Sequence, residues 1–236
     1  MSRTAHKLLS ASGGKAYEID QSLICSQPDA SKLRRTPTSA GNRKTWTFST
    51  WCKRSRLGLG GSSGTGSNWN LLMGAYAGSA SDNSHYWQFG FSHDDELTCG
   101  GWVNNFRVTN RLFRDTSAWY HLVLQIDTTQ ATASNRTKIF VNGVQETSFS
   151  STYDPAQNFD LAINNTVAQS ISDVAYDAGS GPYHFDGYIA ETHLFDGAVV
   201  APSEFGETDS VTGQWIPKEY TGTASYGTNG YYLDFV

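Results

Sequence analysis

Residues 117–143 read SAWYHLVLQIDTTQATASNRTKIFVNG, and this stretch decides the fold class. From Tyr120 to Asp127 the side chains alternate, with Tyr120, Leu122, Leu124 and Ile126 on one face and His121, Val123, Gln125 and Asp127 on the other. A period of two is the pattern of a half-buried strand. A polar run follows from Thr128 to Arg136, and Lys138–Val141 then rises again as a β-branched and aromatic segment. It stops at Asn142-Gly143, the dipeptide that best tolerates the pair of positive φ angles in a tight hairpin turn. The expectation is two antiparallel strands joined by a long loop, with a third strand beginning after the turn.

Working outward, Thr45–Arg54 (TWTFSTWCKR) alternates in the same way: Trp46, Phe48, Thr50 and Cys52 share one face, and Thr47, Ser49, Trp51 and Lys53 the other. Trp51 sits among polar neighbours, so it is either an exposed aromatic platform or a residue packed under a loop. Tyr17–Cys25, Asn70–Ala77, Tyr86–Phe91, Phe106–Phe113, Tyr183–Phe195 and a closing segment over Tyr231–Phe235 are further strand candidates. In the Tyr183–Phe195 segment, alternation leaves open whether Tyr188 or Ile189 faces the core. Ser79–Ser84 and Cys99–Gly101 read as turns, Lys32–Lys44 as a basic Pro-containing connection, and Pro202 opens one helical turn near Ala201–Gly206. The Gly58–Gly66 stretch carries no Gly-Lys-Ser/Thr ending and reads as a loop tip, not a phosphate cradle.

Composition fits an all-β sandwich of 236 residues: 23 Gly, 7 Trp, 12 Tyr and 12 Phe, with charged residues at only 17%. No apolar run approaches membrane-spanning length, and the first residues lack the long apolar region of a signal peptide, so a soluble product made in a cytoplasm is expected. Cys25, Cys52 and Cys99 form an odd set without CxxC spacing, which predicts free thiols. Charge is split: residues 1–56 hold 11 Lys/Arg against 3 Asp/Glu, and the remainder 6 against 19. Residues 1–16 read as a basic arm and 17–236 as the domain. The basic front either docks on an acidic surface, through Arg3, Lys7, Lys15, Arg34 and Arg35, or neutralises the acidic body within the fold or a homo-oligomer. Behind that front the acidic body argues against a nucleic-acid partner.

The chemistry-bearing residues point away from catalysis. A glucan-cleaving sandwich needs paired carboxylates on one strand face, in a Glu-x-Asp-x-Glu-like pattern, and the chain has none. Asp94-Asp95-Glu96 is consecutive and turn-like, and Glu191 is a lone strand carboxylate. The six His are dispersed without metal-ligand spacing, so no metal or other cofactor is called for.

Trp119, His121, Phe140, Val141, Asn142 and Gly143 give the opening stretch its resemblance to laminin-G-like, concanavalin A-like jelly-roll domains. That resemblance implies an all-β, two-sheet antiparallel sandwich, and it allows calcium at the sandwich rim, with Asp127 and neighbouring carbonyls as ligands. Longer stretches, Arg35–Lys53, Asp115–Gln145, Tyr183–Gly197 and Phe205–Phe235, resemble concanavalin A-like domain proteins in the virions of tailed bacteriophages. Within that group the domain often continues past a Tyr-Tyr-Leu-Asp-Phe-like end, where this chain stops, which suggests a stand-alone subunit. The resemblance implies a non-enzymatic virion component, such as a capsid decoration, head fibre or knob, bound to capsid or other virion proteins. The alternative is a tail-associated adhesin that recognises host surface glycans, with Trp51 or Trp69 stacking on sugar rings and Gln125 holding hydroxyls.

Overall fold

The computed structural model describes residues 17–58, 69–78, 82–101, 103–175 and 183–236. The alternation of the opening stretch becomes β8 (Tyr120–Asp127), a loop with one 3-10 turn at Ala133–Asn135, β9 (Thr137–Val141) and, after the turn, β10 (Val144–Gln145). Asn142 and Gly143 take φ values of 49° and 78°, as a two-residue hairpin demands. β8 also pairs with β3 (Thr45–Arg54), in register from Thr45 opposite Asp127 to Cys52 opposite Tyr120. On the far side of β3 lies β13 (Gly187–Asp196), and β13 carries both β1 (Leu23–Cys25) and β16 (Tyr231–Leu233) on its outer edge.

This first sheet faces a second of seven strands, in the order β11 (Phe149–Thr152), β7 (Asn105–Leu112), β6 (Glu96–Gly100), β5 (Tyr86–Phe91), β4 (Asn70–Tyr76), β12 (Ala168–Ile171) and β2 (Leu33–Arg35). All named ladders are antiparallel. Between the sheets the inward residues interlock edge to face: Trp46 meets Trp87 at 5.5 Å between centroids, Phe48 meets Phe89 at 6.0 Å, and Trp87 meets Phe106 at 5.1 Å. Each such pair adds roughly 0.5–1.5 kcal/mol to the burial of its rings. Ile189 is the core residue of its pair, and Tyr188 turns outward to Trp119.

Three sequence readings are corrected. Cys99 and Gly100 belong to β6, not to a turn; the chain turns only beyond Gly100, whose φ of 138° lets the β7 backbone approach to where a Cβ would sit 2.5 Å from Phe106 N. The basic connection contains an edge strand, β2, paired with β12. Tyr17–Cys25 shortens to the three residues of β1. The helical turn at Pro202–Glu204 and strand β5 fall where expected. Residues 59–66 of the Gly-rich loop, residues 79–81 and the whole arm 1–16 lie outside the described residues.

A larger difference concerns the outer face of the first sheet. β3 and β8 are buried on both faces, not one. The cover is the chain after β13, which includes β14 (Gly206–Thr208) paired with β15 (Trp215–Pro217). Val200, Phe205, Tyr220 and Tyr226 form a second apolar cluster with Val123 and Phe195. Two histidines end up inside this layer, His121 at 0% exposure and His193 at 3%. Trp215 donates its indole N–H to His121 Nδ1 at 3.0 Å. Because an indole nitrogen only donates, Nδ1 carries no proton, and the ring's proton sits on Nε2 and points to Ser49 Oγ at 2.9 Å. Burial pushes both histidines down to about 3, with His193 adding a smaller push on His121.

Arg54 is fully buried against Asp95 at 2.8 Å, donates to the Phe113 carbonyl at 2.6 Å and lies over the Phe91 ring. Asp95 occupies a turn at φ 69°, so the acidic triplet Asp94-Asp95-Glu96 serves structure. Removing one partner of such a pair leaves a bare buried charge, at a cost of about 3–5 kcal/mol.

Two outcomes follow from this interior. A depressed histidine contributes stability that is complete above the unfolded value near 6.5 and is lost as pH falls toward 3, because only the unfolded chain takes up the protons. Each ring should cost about 1.4 kcal/mol per pH unit in that window. Urea unfolding at pH 7 and pH 5 should therefore differ by about 4 kcal/mol, and His121→Gln should roughly halve the slope; a flat profile would mean that the rings are hydrated. The three cysteines are free and buried, and burial raises the thiols of Cys52 and Cys99, the latter to about 12. A thiol reagent should count three in denaturant and react with none quickly in the folded protein.

Candidate functional site

The outward residues of β8 run His121, Val123, Gln125, Asp127, and the covering layer reaches only the first two fully. Gln125 stands at its border. Its Nε2 donates to the Val200 carbonyl at 2.7 Å, while Val200 N donates to Thr47 Oγ1 at 3.0 Å and Thr47 Oγ1 donates to the Ala198 carbonyl at 2.9 Å. These bonds lay residues 198–200 across the sheet and bring Val199 beside Gln125. Across the other ladder Gln125 faces Lys138 of β9.

Beyond Gln125 the chain leaves the sheet in the polar loop 128–136, which two residues hold in shape. Asp127 accepts from Thr129 N and Oγ1 at 3.1 and 2.5 Å, from Thr45 Oγ1 at 3.3 Å and from Gln130 Nε2 at 2.6 Å. Burial raises its carboxyl, but the hydrogen bonds from Thr129 and Gln130 outweigh that and leave it below the usual carboxylate range. Arg136 is buried without a carboxylate and donates to three carbonyls, Gln130 at 2.8 Å, Pro155 at 2.7 Å and Ala131 at 3.0 Å. Loop carbonyls that would otherwise lack donors are satisfied by this guanidinium, so Gln130 and Asn135 are carried on a fixed frame.

The result is a pocket of about 170 Å³ lined by Gln125, Asp127, Gln130, Asn135, Lys138 and Val199. Three amides, an ammonium and a carboxylate meet there with one small apolar wall. The side-chain oxygens of Gln125 and Gln130 and the whole Asn135 side-chain amide make no hydrogen bond among the described residues, and an amide both donates and accepts. Such a lining suits a hydroxyl-rich ligand. The volume is below the roughly 300–1,000 Å³ of drug-sized clefts, which limits the occupant to about one ring.

The expected residues fall in different places. Gln125 lies in this pocket. Trp51 does not offer a platform: it is 2% exposed and stacks on His121 at 4.9 Å, because the layer after β13 closes over its face of the sheet. Trp69 precedes β4, on the other sheet, half-buried against Leu71, Tyr86 and Val174 and 5.7 Å from His93. The three therefore do not form one site. Arg34 and Arg35 lie on the edge strand β2 and border a second, mostly apolar pocket of about 240 Å³ with Leu33, Met73, Tyr231 and Leu233. Arg35 lies over the Tyr231 ring at 4.7 Å and donates to the Asn229 carbonyl. Arg3, Lys7 and Lys15 are outside the described residues. Among the described residues no group of three or more His, Cys, Asp or Glu could hold a metal ion, and the Asp127 oxygens suggested for calcium accept bonds from their own loop.

Sequence reading missed Lys138, Gln130, Asn135 and Val199. The signal for Lys138 was partial: alternation with Ile139 and Val141 sets it on the polar face of β9, but the long loop 128–136 leaves its register opposite Gln125 undetermined by sequence. Val199 had none.

Residues 29–203 match the sequence model of a laminin G-type family described as the concanavalin A-like lectin/glucanases superfamily. Among solved structures, the fold is similar to domain 4 of an extracellular arabinanase from Geobacillus stearothermophilus in complex with arabinotriose, with 19% identity, 80% of this chain and 75% of that chain covered, and a TM-score of 0.50. It is similar to a heptameric pentraxin from Limulus polyphemus, with 14% identity, coverage of 86% and 85%, and a TM-score of 0.50. A tailspike protein of Escherichia coli O157:H7 bacteriophage CAB120 matches at 14% identity and a TM-score of 0.48, over 75% of this chain. The chain spans only 23% of that tailspike and 44% of a longer Bacteroides ovatus chain of similar fold. No curated protein matches in sequence. Identities this low show the fold alone, whereas the family model covers most of the sequence. The chain belongs to the concanavalin A-like lectin/glucanases superfamily, as a laminin G-type domain.

Proposed function

We propose that this protein is a non-catalytic glycan-binding domain whose site is the rim pocket around Gln125, and that it works as an adhesin on a phage particle. The observation that carries the binding reading is the pocket itself: hydrogen-bonding side chains with capacity to spare, presented by a loop that Arg136 and Asp127 hold in place. Family membership supports it, as does likeness to an arabinanase domain solved with arabinotriose. The virion placement rests on the sequence resemblance alone, and with it stand a cytoplasmic origin in the host and attachment through the basic front.

The same geometry disfavours hydrolysis. Glu191, the lone strand carboxylate, is buried in a bulge of β13, with both oxygens bonded to Tyr232 at 2.9–3.0 Å and one to Tyr17 at 2.9 Å. Burial raises its pKa. No second acid is bonded to it, and a glycosidase needs two that flank one bond.

Binding to an array of neutral and acidic oligosaccharides should be detectable and weak, with Kd near the millimolar end of the range, because one ring's worth of hydrogen bonds on an exposed rim yields about 4 kcal/mol. Asn135→Ala, which removes no bond that holds the fold, should lower affinity about threefold to tenfold. No reducing ends should be released. An array without signal, or binding unchanged in both Asn135→Ala and Gln130→Ala, would overturn the reading.

A further inference from the structure

Lys138 is the cation of the pocket, and no acid among the described residues forms an ion pair with it. It sits mid-strand in β9, half-buried, with its side chain on the pocket wall. Neighbouring cations are engaged: Lys44 reaches Asp160 at 4.0 Å, and Arg136 donates to three carbonyls. Lys138 makes no hydrogen bond or ion pair among the described residues. The acid of the pocket, Asp127, keeps its charge but engages its oxygens with Thr45, Thr129 and Gln130, with bonds as short as 2.5 Å, and forms no ion pair with Lys138. A partly desolvated ammonium without an ion-pair partner is a cost that an anionic ligand group would remove.

From this we infer that the pocket selects a sugar bearing a single carboxylate, of the uronic acid class, with Lys138 as the residue that sets the preference. The inference rests on the glycan-binding reading above and sharpens it. The carboxylate meets the ammonium, while the amides of Gln130 and Asn135 and the free oxygen of Gln125 exchange hydrogen bonds with the ring hydroxyls. A dense polyanion is a poorer ligand, because residues 57–236 hold 6 Lys/Arg against 19 Asp/Glu and repel it at long range. One carboxylate on an otherwise neutral ring feels that field weakly and the nearby ammonium strongly.

The test is a ligand-observed NMR titration of the full chain with methyl glucuronide and methyl glucoside, and with methyl galacturonide and methyl galactoside, in low salt and in about 0.5 M salt. Wild-type protein should bind one uronide about tenfold more tightly than its neutral counterpart at low salt. High salt should shrink that ratio toward one. Lys138→Met should bring the ratio to about one, and Lys138→Arg should retain it, which guards against a folding defect in the methionine variant. Equal binding of acidic and neutral sugars by the wild type, or a preference that survives Lys138→Met, would overturn the inference. Neutral sugar binding that is lost in Asn135→Ala would in that case still uphold the pocket as a glycan site. Absence of binding by either sugar overturns both.

Discussion

The structure depends on one buried imidazole kept neutral. His121 stacks on Trp51 of β3, shares a hydrogen bond with Ser49, accepts the indole N–H of Trp215, and through its backbone exchanges bonds with Asn142 at 2.8 Å in each direction. Protonation would place an N–H on Nδ1, facing the Trp215 N–H, so charge and geometry exclude it together. The turn is built around the same contact. A Cβ at Gly143 would lie 2.4 Å from the Trp215 ring, so the glycine serves both its positive φ and the close approach of β15. The indole of Trp215 is half-buried, and its N–H left without an acceptor would cost up to about 1 kcal/mol. The Trp-x-His and Val-Asn-Gly elements of the sequence are thus two halves of one joint, which docks the late segment on the first sheet.

That docking decides where a ligand can go. An antiparallel sheet commonly leaves one face to solvent, and an open face lined by Trp51 would be a natural platform for sugar rings. Here residues after β13 occupy that face with Val200, Phe205, Tyr220 and Tyr226. The proposed site lies instead at the border of the cover, where Gln125 still fastens Val200 and the polar loop begins. The strands supply rigidity, and the loop, braced by Arg136, supplies polar groups to the candidate pocket.

Glu191 shows a different use of a carboxylate. Its φ of 47° is unusual for a residue with a side chain, and such a conformation costs of order 1–3 kcal/mol. It persists within a register shift of β13 because hydroxyls from the first and last described segments, Tyr17 and Tyr232, close on it, while Tyr232 stacks on His193 at 4.4 Å. The residue ties the first and last described segments to the middle of the first sheet.

The sequence by itself determined the fold class, the registers near the turn and the inner core. Period-two alternation in Thr45–Arg54 and Tyr120–Asp127 sorts residues by face, and Asn142-Gly143 fixes the hairpin, because both are local consequences of backbone geometry. It also marked Gln125 as a polar group on the second face. It could not tell whether Trp51 was covered, since its burial depends on a segment that follows β13, and nothing in alternation records what lies above a face. Tertiary structure alone decided the site. Gln125 and Val200 are 75 positions apart, and Lys138 became significant only once its neighbours were seen to make their bonds elsewhere. Local pattern reports which way a side chain points; whether it meets water, a ring or another charge is set by chain segments far away in sequence, through desolvation and hydrogen-bond matching that exist only when they meet.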